Sequence, residues 1–279
     1  MAIPTETVYG LSAMARDESA VRRVYDVKGR PASHPLIVHF ADVDGAREWA
    51  GRWPQRAEDL ADRFWPGPLT LIVERADFVP DVVTGGRSTV ALRVPDHPLT
   101  SHLLRIVGDG LAAPSANRFG RVSPTTAAHV LEDLGDDVDY ILDGGSCDIG
   151  LESTIVDCSV DPPQILRPGG IATEDIADVV QRLAATSGPS RAPGMLSSHY
   201  APRCRVILVE PGVSTTAPSV GTTRTLDANV NPIAFAREMY TELRRADDDG
   251  IDTVLIELPP PRGIGTAIRD RLSKAAANR

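Results

Sequence analysis

Segments with helical spacing of apolar residues interleave with short apolar runs along most of the chain. Helices are predicted over Ser19 to Val27, opened by Asp17 and Glu18, then over Ala41 to Trp49, Gln55 to Phe64 and Pro98 to Val107. Apolar runs predict strands at Pro35 to Phe40, Leu69 to Glu74, Thr89 to Val94 and Leu111 to Ala113. A helix follows over Thr125 to Leu134, with Ser123 as its N-cap and Pro124 in its first turn. Strands at Tyr140 to Leu142, Ser153 to Asp157 and Gln164 to Leu166 precede a helix from Thr173 to Ala185. This interleaving is the signature of an α/β fold.

The pattern then breaks. Thr186 to Arg203 is rich in Pro, Gly and Ser and has no apolar period, as a linker would. Beyond it, strands at Val206 to Val209 and Thr253 to Leu258 alternate with helices at Pro232 to Arg245 and Ile264 to Ala277. Pro211 to Thr223 has almost no core-forming residues and reads as a mobile loop. The division is therefore residues 1–186, a linker over 187–204 and a small α/β unit over 205–279.

Composition narrows the function. No apolar run approaches the roughly 20 residues that span a bilayer, and MAIPTETVYG lacks the basic and apolar regions of an export signal. A cytoplasmic protein with no membrane contact is expected. The net charge of −9 argues against tight nucleic-acid binding, stable DNA binding included. The three cysteines, Cys147, Cys158 and Cys204, have neither disulfide-framework nor zinc spacing and read as structural bystanders.

Several loops carry groups suited to a small anion. Lys28-Gly29-Arg30-Pro31 places two cations around a glycine, although alone it reads first as a solvated helix C-terminus. His39, inside an apolar strand, reads as a satisfied core residue. Arg93 lies in a strand too apolar to bury an unpaired cation, so it needs an anion, either a carboxylate such as Asp96 or a ligand. Ala113-Pro114-Ser115-Ala116-Asn117, Leu151-Glu152-Ser153-Thr154 and Leu166-Arg167-Pro168-Gly169-Gly170 are polar loops beside strands. No Walker A loop, dinucleotide fingerprint or nucleophile elbow is present. The residues alone thus point to a small anionic ligand without naming a reaction.

Taken together and in order, PTETVYGL, KGRP with PLIVH, FWPGPLTLI, TVALRVPDHP, APSAN, SPT, GLESTIVD and LRPGGI resemble the YrdC-like catalytic domain of the threonylcarbamoyl-AMP synthase family. APGMLSSHYAP is similar to the linker of the two-domain form, and the chain's end to its C-terminal domain. The resemblance implies a twisted open mixed sheet with helices around a deep, positively lined cavity, plus a small Rossmann-like α/β domain. It implies an enzyme that makes threonylcarbamoyl-AMP from L-threonine, bicarbonate or CO₂, and ATP carrying Mg²⁺, for modification of tRNA beside the anticodon through separate transfer proteins.

Carried over by motif, Thr7, His39, Arg93, Ala113 and Ser153 would bind threonine. Lys28, Arg30, His34, Thr89, Ser115, Asn117, Ser123 and Arg167 would surround ATP, with Lys28 and Arg30 also catalytic and no metal held by protein side chains. His34 stands where the family usually has Asn. His199 and Tyr200 would close over the nucleotide as a lid. The family carries a further helix and strand ahead of PTETVYGL, and another helix and strand where Pro211 to Thr223 stands here; its linker often has basic or aromatic residues at Leu196 to Ser198. Three competing readings are a non-catalytic RNA-binding protein, a hydrogenase-maturation carbamoyl transferase and an inactive paralogue.

Overall fold

The computed structural model describes residues 1–185, 200–213 and 220–277. Strands β1 (Ala2–Ile3) and β2 (Gly10–Leu11) pair with each other, and the loop between them carries Thr5 to Tyr9. After β3 (Ala13–Met14), the Asp17 carboxylate accepts from the Ser19 and Ala20 amides and opens α1 (Glu18–Lys28). Gly29 closes that helix in the left-handed region. Next come β4 (Ile37–His39), α2 (Val43–Glu48), β5 (Ala50–Arg52), α3 (Gln55–Phe64), β6 (Leu69–Arg75), α4 (Asp81–Thr84) and β7 (Thr89–Arg93). They are followed by α5 (Pro98–Val107), β8 (Leu111–Ala112), α6 (Ala127–Leu134), β9 (Thr154–Asp157), β10 (Gln164–Arg167) and α7 (Thr173–Val180).

The principal sheet runs β10-β9-β6-β7-β4-β8-β3, with β5 also on β6. It is mixed: β4–β7 and β6–β9 are parallel, and the other pairs antiparallel. The two-residue period assigns its faces. Val38, Leu71, Leu92 and Val156 pack into the main core with Leu60, Ala61 and Ile176 from α3 and α7. Ile37, Ile72, Ala91, Ile155 and Leu166 form a smaller cluster of their own. His39 and Arg93 follow Ile37 and Ala91 by two residues and stand in register at the ends of parallel strands, so both project from this second face.

The C-terminal unit is a parallel sheet, β11 (Arg205–Val209), β13 (Thr253–Glu257) and β12 (Thr223–Asp227) in that spatial order, with α8 (Pro232–Asp248) and α9 (Ile264–Ala276). Its core includes Met239, Tyr240, Leu243, Ile268 and Leu272, and also Val8, Val122 and Leu151 of the first unit. The two units therefore share one apolar core.

Some expectations are corrected. Ser123 does not cap α6: Thr126 does, accepting from the His129 amide, and Ser123 Oγ points elsewhere. The helix expected to reach Ala185 stops at Val180, because Gln181 turns at φ 60° and Ala184 bridges back to Gln164. Tyr140 to Leu142 contributes one bridge, Ala2 to Ile141, rather than a strand. Thr223 opens β12, so the loop reading ends before it, and residues 214–219 lie outside the described ones. No helix among the described residues is long and apolar enough to cross a membrane. Cys147 and Cys158 are free and buried, and burial pushes each thiol up to about 12, so neither is a ready thiolate.

Candidate active site

Four segments meet over the second sheet face: the β1–β2 loop, the residue after the α1 cap, the chain following β8, and the segments flanking β9 and β10. They enclose a cavity lined by Thr7, Arg30, His39, Arg93, Ser153 and Arg167, and also by Ala113, Ser115, Glu152 and Tyr200. A roomier groove, of about 490 Å³ against about 50 Å³, lies between Met1, α1 and α5. Among the described residues Arg23 is the only side-chain cation lining that groove, so the smaller cavity with three guanidinium groups is the better anion site.

Arg93 is buried, and its anion is Glu6 rather than Asp96. Arg93 NH2 lies 2.7 Å from Glu6 Oε1. Arg93 NH1 donates to Thr7 Oγ1 at 2.9 Å and Nε to the Gly67 carbonyl at 3.2 Å. His39 is not a satisfied core residue: its buried Nδ1 has no partner and the ring borders the cavity. Burial, then the Arg93 charge, lowers its pKa to about 3, so it is neutral at pH 7.

Lys28 and Arg30 are buried, so the solvated-helix-end reading falls. Burial first, then Arg30, pulls the Lys28 pKa well down. Lys28 Nζ donates to the Ser115 carbonyl at 2.5 Å and to that of Asn117, and so ties the 113–117 loop to α1. Asn117 Nδ2 donates to the Arg118 and Arg121 carbonyls, while its buried Oδ1 has no partner. Burial brings Arg30 down to about 10, still cationic at neutral pH.

On the β9–β10 side, Arg167 NH2 donates to Ser153 O at 2.9 Å and Ser153 Oγ at 3.0 Å, and Thr70 Oγ1 lies 2.7 Å from the same hydroxyl. The turn after Arg167 passes so close that a Cβ on Gly169 would sit 2.4 Å from the Glu152 and Ser153 backbone. Glu152 is the only carboxylate lining the cavity among the described residues. Burial pushes its pKa up, but Arg271 and Arg167 overcome this and hold the carboxylate at about 2.

Not every expected residue lines the cavity. Ser123 is buried just behind it, donating to Glu152 Oε1 at 2.7 Å. Thr89 opens β7, two residues before Ala91 and four before Arg93, and is half-buried away from the cavity. His34 lies outside the lining and meets Phe119 in a tilted ring pair with centroids 5.5 Å apart, its pKa lowered by burial and then by Arg30. His199 lies outside the described residues. Tyr200 is buried at φ 62°, its ring 5.9 Å from Tyr240. Glu6, Tyr240 and Arg271 were not singled out from sequence, and Glu152 only as a member of the 151–154 loop, with no role given to its carboxylate. The buried-cation argument required an anion, and Glu6 stands beside Thr7. Arg271 interrupts the apolar stripe of Ala267, Ile268 and Leu272, which marks a buried charge.

The family model Sua5/YciO/YrdC, described as telomere recombination, matches residues 1–169. A second, described as threonylcarbamoyl-AMP synthase, C-terminal domain, matches residues 171–277. The chain is 40% identical over 308 residues to the threonylcarbamoyl-AMP synthase of Pyrococcus abyssi, covering 100% of this chain and 91% of that one. The chain belongs to the threonylcarbamoyl-AMP synthase family. The synthase of that name from Bacillus subtilis is also 40% identical, over 310 residues, covering 100% and 90%. The crystal structure of P. abyssi Sua5 complexed with L-threonine matches this fold with a TM-score of 0.92 at 38% identity, covering 99% and 89%. In the threonylcarbamoyl-AMP synthase frame, the cavity residues up to Arg167 fall in the first model, while Tyr200, Tyr240 and Arg271 fall in the second.

Proposed function

We propose that the protein makes threonylcarbamoyl-AMP from L-threonine, bicarbonate or CO₂, and MgATP, releasing pyrophosphate. The product would supply tRNA modification beside the anticodon through separate transfer proteins in the cytoplasm. The observation that carries the reading is a buried cavity lined by Arg30, Arg93 and Arg167 in a chain 40% identical to synthases of that name.

The chemistry brings anions together, and fixed guanidinium charge offsets their repulsion. Arg93 takes the threonine carboxylate. Thr7, Ser153 and neutral His39 hydrogen-bond the remaining polar groups, and the Ala113 backbone borders the same space. The neutral amine adds to CO₂ with loss of an N–H proton to water, or to bicarbonate with loss of water, to give a carbamate. A carbamate oxygen then attacks the α-phosphorus of ATP, the bond to the bridging α–β oxygen breaks, and pyrophosphate leaves. Arg30 and Arg167 hold phosphate oxygens. Lys28 acts by holding the Ser115–Asn117 loop, with Ser123 behind Glu152. Mg²⁺ arrives on ATP, since Glu152 is already engaged by Ser123, Tyr240 and Arg271. The free space of about 50 Å³ is below the ~300 Å³ of small-ligand pockets, so the cavity widens when nucleotide enters.

The test is pyrophosphate release from MgATP with each of threonine and bicarbonate omitted in turn. Dependence on both is expected. Release without threonine, or no release under any condition, would remove the reading.

A further inference from the structure

Arg271 sits on α9, fully buried and 119 residues downstream of Glu152 in the chain. Its Nε donates to Glu152 Oε2 at 2.7 Å, and its NH2 donates to the Pro168 carbonyl at 2.9 Å, directly after Arg167. Its guanidinium lies 5.1 Å from the Tyr200 ring centroid. Tyr240 of α8 adds a hydrogen bond to Glu152 Oε2 at 2.9 Å. One side chain of the C-terminal unit thus braces three parts of the cavity wall: the 152–153 segment, the 167–168 turn and Tyr200.

An apolar side chain of similar volume would join two units at least as stably as a buried ion pair. The charge is better explained by what it faces. Glu152 is a carboxylate lining a cavity otherwise built for anions, and without a countercharge its field would oppose a triphosphate. We propose that Arg271 is a positioning residue of the nucleotide side: it offsets and orients Glu152, and so makes the C-terminal unit part of the active site. The inference rests on the reading that this cavity takes MgATP beside threonine.

Calorimetric titration of the full chain with threonine and with a non-hydrolysable MgATP analogue tests it. Arg271→Met is expected to weaken nucleotide binding about tenfold, equivalent to about 1.4 kcal/mol, and to leave threonine affinity within about twofold. Arg271→Met with Glu152→Gln removes the uncompensated charge and is expected to recover most of the nucleotide affinity, and the unchanged threonine affinity is the readout that a merely structural role would move. Arg271→Lys keeps the charge and is expected to bind nucleotide better than Arg271→Met, and it serves alone if the methionine variant does not fold. Arg269→Ala, on α9 like Arg271, breaks a surface pair with Glu210, which follows β11; it is the control and is expected to bind as wild type. No recovery in the double variant, or equal loss of threonine and nucleotide affinity, overturns the inference. So does an Arg271→Lys variant as weak as the methionine one or, where that one does not fold, more than tenfold weaker than wild type. Wild-type protein that binds neither ligand removes the functional reading itself, so the two failures are distinguishable.

Discussion

Removing Arg93 from its pair with Glu6 separates what this arginine does for stability from what it does for the ligand. Both side chains are buried, 4% and 7% exposed. Arg93→Met deletes the 2.7 Å ion pair and the hydrogen bonds to Thr7 and Gly67, and strands the Glu6 carboxylate. Two unit charges about 4 Å apart interact by about 4 kcal/mol at an effective dielectric of about 20. Breaking one partner of a buried pair costs about 3–5 kcal/mol by the same reasoning. Arg93→Met should therefore lower unfolding stability by about 4 kcal/mol in urea titration. Adding Glu6→Gln removes the stranded charge and should return most of that loss. Threonine affinity should not return, because the cation facing the carboxylate is still missing; a loss of about 2–5 kcal/mol is expected in calorimetry for either variant. A double variant that binds threonine as wild type would refute the assignment of Arg93. A single variant that loses less than about 1 kcal/mol would refute the claim that Glu6 depends on it.

Three further outcomes are expected. His39 has its pKa lowered from 6.5 to about 3 on folding, so the unfolded chain takes up the proton first as pH falls. Its contribution is complete above pH 6.5 and is lost progressively down to pH 3, with roughly 3 kcal/mol gone by pH 4.5. His39→Gln should remove that part of the pH dependence of the urea midpoint, and equal acid sensitivity in both proteins would count against it. Gly169→Ala forces a methyl group against the Glu152 and Ser153 backbone; a stability loss of about 1–3 kcal/mol with weakened threonine binding is expected in paired melting and calorimetry. Lys28→Met leaves the Ser115 and Asn117 carbonyls without their donor, which should cost about 1–3 kcal/mol in urea titration and weaken MgATP more than threonine in calorimetry.

Elements with strong periodicity were legible from sequence. Gln55 to Phe64 and Pro98 to Val107 are helices with the expected bounds, and Leu69, Thr89 and Thr253 open strands as expected. The two-residue strands β1, β2 and β3 were missed because they are too short to show a period; their pairing depends on partners elsewhere in the chain. β12 was missed because TRTLD carries an Arg and an Asp and is only partly buried. At the site, Arg93 was marked by the cost of burying its charge, yet its partner Glu6 lies some ninety residues away, beyond the reach of any local pattern. Ser123 misled for a related reason. A serine before Pro-Thr looks like a cap, but its hydroxyl is drawn to Glu152 by tertiary packing. Thr126 takes the cap instead.

The core shared by Val8, Val122 and Leu151 with α8 and α9 also bears on how the protein is born. The ribosome makes Glu152 long before Arg271, so the emerging first unit carries a carboxylate and an apolar face that nothing yet covers. Both are satisfied only when α8 and α9 fold back. A chain cut short before α9 would keep the strands and helices of the first unit but expose that face and leave the carboxylate uncompensated, which marks it for aggregation or degradation. The site is thus completed only once α9 has been made and has brought Arg271 to Glu152.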